Sequence, residues 1–162
     1  MHLLPSEFWL GLDSVSELTK VGIWELRVDL VDFEGTNYSA FYSEFQVKEE
    51  PLYRLSIAGF DTEISTVQDS LTWANEMAFS TSDNDNDLEN DVNCAEQFLG
   101  AWWYTDCHAS SLNGYNYNNG SLPELKPEFY GKGIVWINED KILDQDYYFS
   151  WPQAMMRIRR KL

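Results

Sequence analysis

The sequence predicts an α+β fold, an antiparallel β-sheet with short helices joined to a loop-rich subdomain. Three observations carry that prediction. Alternating apolar and polar runs recur in the first third of the chain, and only one short segment there reads as helix. From about Ser65 the periodicity fades, and Asn, Asp, Gly, Ser and aromatic residues dominate through Gly120. Aromatic residues make up 15% of the 162 positions, with 7 Trp, 9 Tyr and 9 Phe, a content that builds a packed core and that disordered chains lack. The length fits one domain. We read residues 1–162 as one unit, with a sheet subdomain at about 1–64 plus the C-terminal strands and a loop-rich subdomain at about 65–150.

In chain order, Ser14–Lys20 reads as a short helix, with Ser14 or Ser16 as its cap and Gly22 just past its end. Trp24, Leu26, Val28 and Leu30 then alternate with Glu25, Arg27 and Asp29, the period of two that marks a half-buried strand. The segment Asp32–Asn37 supplies Gly and Asn for a turn. Phe41, Phe45 and Val47 predict a second strand, and Tyr53, Leu55 and Ile57 a third after Pro51. Together they form an antiparallel meander. Alternation returns in Gly133–Ile137 and Met156–Arg159, two further strands. The irregular middle needs a staple or a ligand to hold it.

Charge narrows the partners. With 27 acidic against 11 basic residues, the net charge is −16. Nucleic acids and anionic membranes attract Lys and Arg clusters, so they are disfavoured. The dense basic group, Arg157, Arg159, Arg160 and Lys161, reads as a strand end. No run of about 18 apolar residues predicts a membrane span, and Met-His-Leu-Leu-Pro has no basic n-region of a signal peptide. Cys94 and Cys107 lack the spacing and histidine partners of a zinc site. A disulfide is the better reading; it implies an oxidising compartment and stabilises by roughly 3 kcal/mol on the chain-entropy model. The sequons Asn37-Tyr-Ser39 and Asn119-Gly-Ser121 agree with secretion.

The most charged stretch is Ser80–Cys94, STSDNDNDLENDVNC. Asp83, Asp85, Asp87, Glu89 and Asp91 occupy every second position, and in an extended chain such residues point the same way and repel. Calcium takes roughly six to eight oxygens from carboxylates, carbonyls and water, which this loop could supply. An EF-hand counted from Asp83 would need Gly and Glu where Leu88 and Cys94 stand. A calcium loop of another type and a solvated acidic loop remain. Two carboxylates near aromatic rings also suit a glycosidase. However, the acids are concentrated in one loop, the histidines are only His2 and His108, and no nucleophile or phosphate motif occurs. The chain therefore reads as a non-enzyme.

The same loop runs into Asn93-Cys-Ala-Glu96, Gly100-Ala-Trp-Trp-Tyr104, Cys107-His-Ala109 and Ser111-Leu-Asn-Gly114. Glu7–Leu12, Trp24–Leu30, Asp32–Gly35, Tyr53–Ser56, Phe79–Thr81, Gly133–Trp136 and Met156–Arg159 complete an ordered set over nearly the whole chain. This set resembles the fibrinogen-related domain, the globe of fibrinogen chains, ficolins, tachylectins, tenascins and angiopoietins. The resemblance implies that Cys94–Cys107 is the family's second disulfide. It also implies a calcium site with the side chains of Asp85 and Asp87 and the main-chain carbonyls of Glu89 and Asp91, with Asp83 outside the ligand set. The loop is one residue longer before the cysteine than in many relatives.

Beside the calcium, the resemblance implies a pocket for the acetyl groups of N-acetylated sugars. In such members the peptide corresponding to Asp106-Cys107 is cis, which without proline costs about 3 kcal/mol. It would aim the N–H groups of Cys107 and His108 at a ligand carbonyl, between walls of Phe98, His108, Tyr130 and Gly131, with Trp103 nearby. One of Trp102 and Trp103 is expected in the core and the other at the site. His108 reads either as a ligand contact or as a histidine packed against the Trp pair.

The pattern also departs from the family. Gly131 stands for Ala or Asp and Phe98 for Tyr, so an amine pocket of the fibrin type is poorly equipped. Glu139–Asp146 is an acidic insertion, and the usual N-terminal subdomain is missing, as in a trimmed or shortened relative. The resemblance thus implies a secreted, calcium-dependent lectin of the innate-immune type, oligomeric in its full-length form. The alternative is a protein-binding or matrix-adhesion module of the angiopoietin or tenascin type.

Overall fold

The structure is a computed structural model that describes residues 7–117, 127–137 and 150–161. The sequon at 119–121 and the insertion at 139–146 lie outside the described residues. Elements are named in chain order as α1 (Leu12–Thr19), β1 (Trp24–Val31), β2 (Asn37–Val47), β3 (Leu55–Phe60), α2 (Cys94–Gln97), β4 (Ser110–Ser111), β5 (Val135–Trp136) and β6 (Gln153–Arg160). One antiparallel sheet runs β3-β2-β1-β6, and β4 pairs with β5 in a two-stranded ladder. This mostly antiparallel arrangement with short helices is the α+β architecture the sequence predicts.

In β1, Leu26, Val28 and Leu30 are buried on one face. Glu25, Arg27 and Asp29 lie on the other, where they pair with β6. Arg157 donates to Asp29 at 2.6 Å and Arg159 to Glu25 at 3.0 Å. Three of the four C-terminal basic residues, Arg157, Arg159 and Lys161, thus meet carboxylates of β1 across the sheet. These pairs are exposed and contribute about 0–1 kcal/mol each.

The second strand differs from its predicted face. Ala40 and Tyr42 are buried while Phe41 lies on the outer side, with the Arg27 guanidinium 5.1 Å from its ring centre. Core-facing positions then shift parity to Phe45 and Val47. The shift falls where Ser43 meets Gly59, whose φ of +67° is open to glycine. A β-carbon there would collide with the Ser43 side chain. Pairing resumes on either side, at Tyr42↔Phe60 and Glu44↔Ala58.

Three boundaries also move. Helix α1 begins at Leu12, two residues before Ser14, and its cap position is Gly11, which has no side chain to bond; Ser16 and Thr19 lie inside the helix and are buried. Thr19 Oγ1 donates to the Val15 carbonyl at 2.8 Å and accepts the Val47 N–H at 3.1 Å, tying helix to sheet. Tyr53 stands outside β3 in a turn with φ +44°. The strand predicted at Gly133–Ile137 narrows to β5, since Ser150 Oγ takes the Ile134 N–H at 3.0 Å where a ladder partner would sit.

The core continues from the sheet's inner face into Trp102, Trp103, Tyr104, Phe79 and Phe98. Both Trp102 and Trp103 are buried. Trp103 Nε1 donates to the Tyr53 carbonyl at 2.7 Å, and its ring meets Phe79 edge-on at 5.1 Å. Both indoles thus belong to the core, and Trp103 also lines the small cavity beside Cys107 and His108. A buried indole N–H usually finds an acceptor; Trp103 has one in the backbone of the turn before β3, whereas Trp102 Nε1 has none among the described residues.

Candidate functional site

The acidic loop is tied down at its start by reciprocal backbone bonds between Ser80 and Trp102, at 2.9 and 3.2 Å. Asn86 Nδ2 then donates to the Phe79 carbonyl at 2.9 Å, and Asn93 Nδ2 to the Thr81 carbonyl at 3.0 Å. Asn93 also caps α2, its Oδ1 accepting the Glu96 N–H at 3.0 Å. Such a cap contributes about 1 kcal/mol. Neither asparagine stood out beside the carboxylates, although Asn93-x-x-Glu96 is itself a helix-start signature.

The five carboxylates fill different roles. Asp87 Oδ1 accepts the Glu89 N–H at 3.0 Å and Oδ2 accepts the Cys94 N–H at 2.9 Å. Asp85 Oδ1 accepts the Asp87 N–H at 3.2 Å and the Ser80 hydroxyl at 3.3 Å. Asp83 takes the Thr81 hydroxyl at 2.7 Å, away from that pair. Burial raises the Asp87 pKa above its ordinary value, and the neighbouring Asp85 carboxylate adds to the rise, while the Cys94 N–H opposes it. Two carboxylates held this way favour either a proton or a cation between them.

Glu89 turns back on its own loop, where Oε1 accepts the N–H groups of Asn90 and Asp91 at 2.9 and 3.1 Å. Its other neighbour is Asp106. Hydrogen bonding to Glu89, and then its charge, raise the Asp106 pKa, while the Asp91 N–H and then Asp106 lower that of Glu89. The acidic loop thus touches the 106–108 peptide, a contact reinforced by the Leu88 N–H on the Thr105 carbonyl at 2.9 Å. The Cys94–Cys107 disulfide, with Cα atoms 5.6 Å apart, closes the same unit.

Among the described residues, no three His, Cys, Asp or Glu side chains converge on one point as a metal cluster. Two adjacent carboxylates remain, and the Glu89 and Asp91 carbonyls receive no hydrogen bond from the described residues. These are oxygen donors of the kind calcium takes.

The predicted pocket walls do come together. Phe98 meets His108 edge-on at 4.6 Å, and Tyr104 meets it at 5.6 Å. A β-carbon on Gly131 (φ +68°) would sit 2.7 Å from Phe98 and 3.3 Å from His108. Tyr130 is half-buried against the same core. His108 is 5% exposed, and burial pushes its pKa down to about 4, with the Gly131 backbone opposing weakly. The imidazole is therefore neutral at pH 7, and its packing partners are Phe98 and Tyr104.

On its other side, His108 joins Cys107, Thr105, Trp103, Ser70 and Ser110 around a cavity of about 10 Å³, room for one water molecule. Glu50-Pro51 is the one cis peptide among the described residues. The Asp106-Cys107 bond is trans, the form a non-proline peptide prefers by about 3 kcal/mol. The Cys107 carbonyl accepts the Thr105 N–H at 2.7 Å, while the Cys107 N–H donates to no described residue.

The sheet, the disulfide-clamped acidic loop and the ring-lined 106–108 peptide define a globe of the fibrinogen type. The family described as the C-terminal globular domain of fibrinogen beta and gamma chains matches residues 2–161, and the chain belongs to it. Fibrinogen-like domains are non-enzymatic recognition modules. The chain is 41% identical over 155 residues to ryncolin-4 of Cerberus rynchops and 44% identical over 157 residues to tenascin-R of Gallus gallus. It covers 41% and 10% of those proteins.

Among solved structures, the globe of human ANGPTL6 superposes with a TM-score of 0.80 at 34% identity. The match covers 96% of this chain and 65% of that one. Lamprey fibrin D-dimer, complexed with the peptide Gly-His-Arg-Pro-amide, superposes at 0.79 with 28% identity, over 97% of this chain and 52% of that one.

Proposed function

We propose that the chain is the recognition domain of a secreted protein and binds acetylated glycans in a calcium-dependent manner. One observation carries this reading: the acidic loop and the 106–108 peptide form a single clamped unit, joined by Glu89 against Asp106 and by the 94–107 disulfide. A cation on the Asp85 and Asp87 carboxylates and the Glu89 and Asp91 carbonyls would relieve the Asp85–Asp87 repulsion and fix the peptide behind the pocket. The Cys107 N–H, without an acceptor among the described residues, is a ready donor for an acetyl carbonyl. The extracellular setting of ryncolin, tenascin-R and angiopoietin-like relatives supports secretion.

Affinity columns test the reading. Retention on immobilised N-acetylglucosamine in calcium, release by EDTA and no retention on glucosamine are expected; equal retention on both sugars contradicts it. A second reading, a protein-binding module, is favoured by the packing of Phe98, His108 and Gly131 against one another, which leaves little depth for a sugar. Capture of an extracellular protein, with no response to acetylated sugars, would select it.

A further inference from the structure

We propose that Asn37 carries an N-linked oligosaccharide on the outer face of the sheet. The sequon Asn37-Tyr-Ser39 has no proline at its middle position. The structure places it at the turn-to-strand junction, where the Asp32 carboxylate folds the preceding turn by accepting the Glu34 and Thr36 N–H groups at 2.9 and 2.8 Å. Asn37 is exposed. Tyr38, Ala40 and Tyr42 point inward, Tyr38 meeting Trp151 edge-on at 5.4 Å, so Asn37 and Ser39 share the opposite, solvent-facing side.

Their alignment suits the modification. In extended chain, the hydroxyl two residues on lies beside the carboxamide, the arrangement a sequon requires. The Ser39 backbone is already engaged with Thr66 at 2.8 Å in both directions. Among the described residues, neither the Asn37 carboxamide nor the Ser39 hydroxyl is committed to another group. The inner face of the sheet packs on Trp102, Trp103 and Phe98, so a glycan at Asn37 projects away from the acidic loop and the 106–108 peptide.

In the transfer, Asn37 Nδ2 bonds to the anomeric carbon of an N-acetylglucosamine. That carbon's bond to the pyrophosphate oxygen of a lipid-linked oligosaccharide breaks. The lipid pyrophosphate leaves with the electron pair, and the amide proton passes to solvent.

The inference rests on passage through the secretory lumen, so the test enforces and verifies that step. The full chain with Asn119→Gln is expressed behind a secretion leader in eukaryotic cells, and oxidation of Cys94–Cys107 reports lumenal passage. The oxidised chain, secreted or retained, is treated with peptide N-glycosidase in ¹⁸O water and mapped by mass spectrometry. Labelled Asp at position 37 is expected, with loss of the glycan in Ser39→Ala and Asn37→Gln. An oxidised chain that carries unmodified Asn37 overturns the proposal. The Asn37→Gln chain is expected to keep the wild-type response to calcium and N-acetylglucosamine, so failure of that response counts against the lectin reading, separately from the glycan.

Discussion

Asp87 Oδ2 accepts the backbone N–H of Cys94 at 2.9 Å, so the carboxylate proposed to hold calcium also fixes the cysteine that clamps the loop. The proposed metal site and the disulfide are joined through that bond.

Asp87→Ala is therefore expected to act with and without metal. In EDTA it should lower stability by about 1–3 kcal/mol, because the Cys94 and Glu89 N–H groups lose their acceptor. In calcium the deficit should grow, since wild type gains about 2.7 kcal/mol at a hundredfold excess over Kd and the variant gains little. Asp85→Ala should lose the calcium response with a smaller change in EDTA. Denaturant midpoints in the two buffers check both.

Reduction of Cys94–Cys107 should cost roughly 3 kcal/mol and free the loop. Limited proteolysis between Asp83 and Val92 should become faster in reductant, while cleavage in β1 and β2 stays slow. Equal acceleration across the chain would show that the disulfide holds the whole fold and not the loop.

Gly131→Ala should cost about 1–3 kcal/mol. The residue has φ +68°, and a β-carbon would lie 2.7 Å from the Phe98 ring. Phe98→Leu combined with Gly131→Ala should recover part of that loss, which thermal denaturation of the two variants measures.

Acid should weaken the fold through His108. Its folded pKa of about 4 lies below the ordinary 6.5, so the unfolded chain takes up this proton first as pH falls. The contribution is fully present above about pH 6.5 and is lost towards pH 4, to a total of roughly 3 kcal/mol. The slope of stability against pH in that window should flatten in His108→Gln, and an NMR titration should show the ring neutral at pH 5.5.

Much of the sheet was legible because burial on one face writes a period of two into Leu26, Val28 and Leu30. The parity switch in β2 was not, because it arises where Ser43 meets Gly59 across strands and neither residue signals it alone. At the site, Asp85 and Asp87 stand out by charge. Their division of labour depends on loop closure, which brings the Cys94 N–H to Asp87 and Asp106 to Glu89 across distances in sequence that no local pattern encodes. The anchoring of Trp103 was hidden for a related reason, since its indole N–H is satisfied by Tyr53, fifty positions earlier.

The central claim is that calcium in the acidic loop organises an acetyl-binding pocket at the 106–108 peptide. Calorimetric titration of N-acetylglucosamine into the calcium-loaded and the EDTA-stripped chain, with glucosamine as control, tests it most directly. Saturable heat from the acetylated sugar in calcium, lost in EDTA and in the Asp85→Ala, Asp87→Ala double variant, is the predicted result. Saturable heat that is unchanged by EDTA, or no heat from a chain shown to hold calcium, would contradict it.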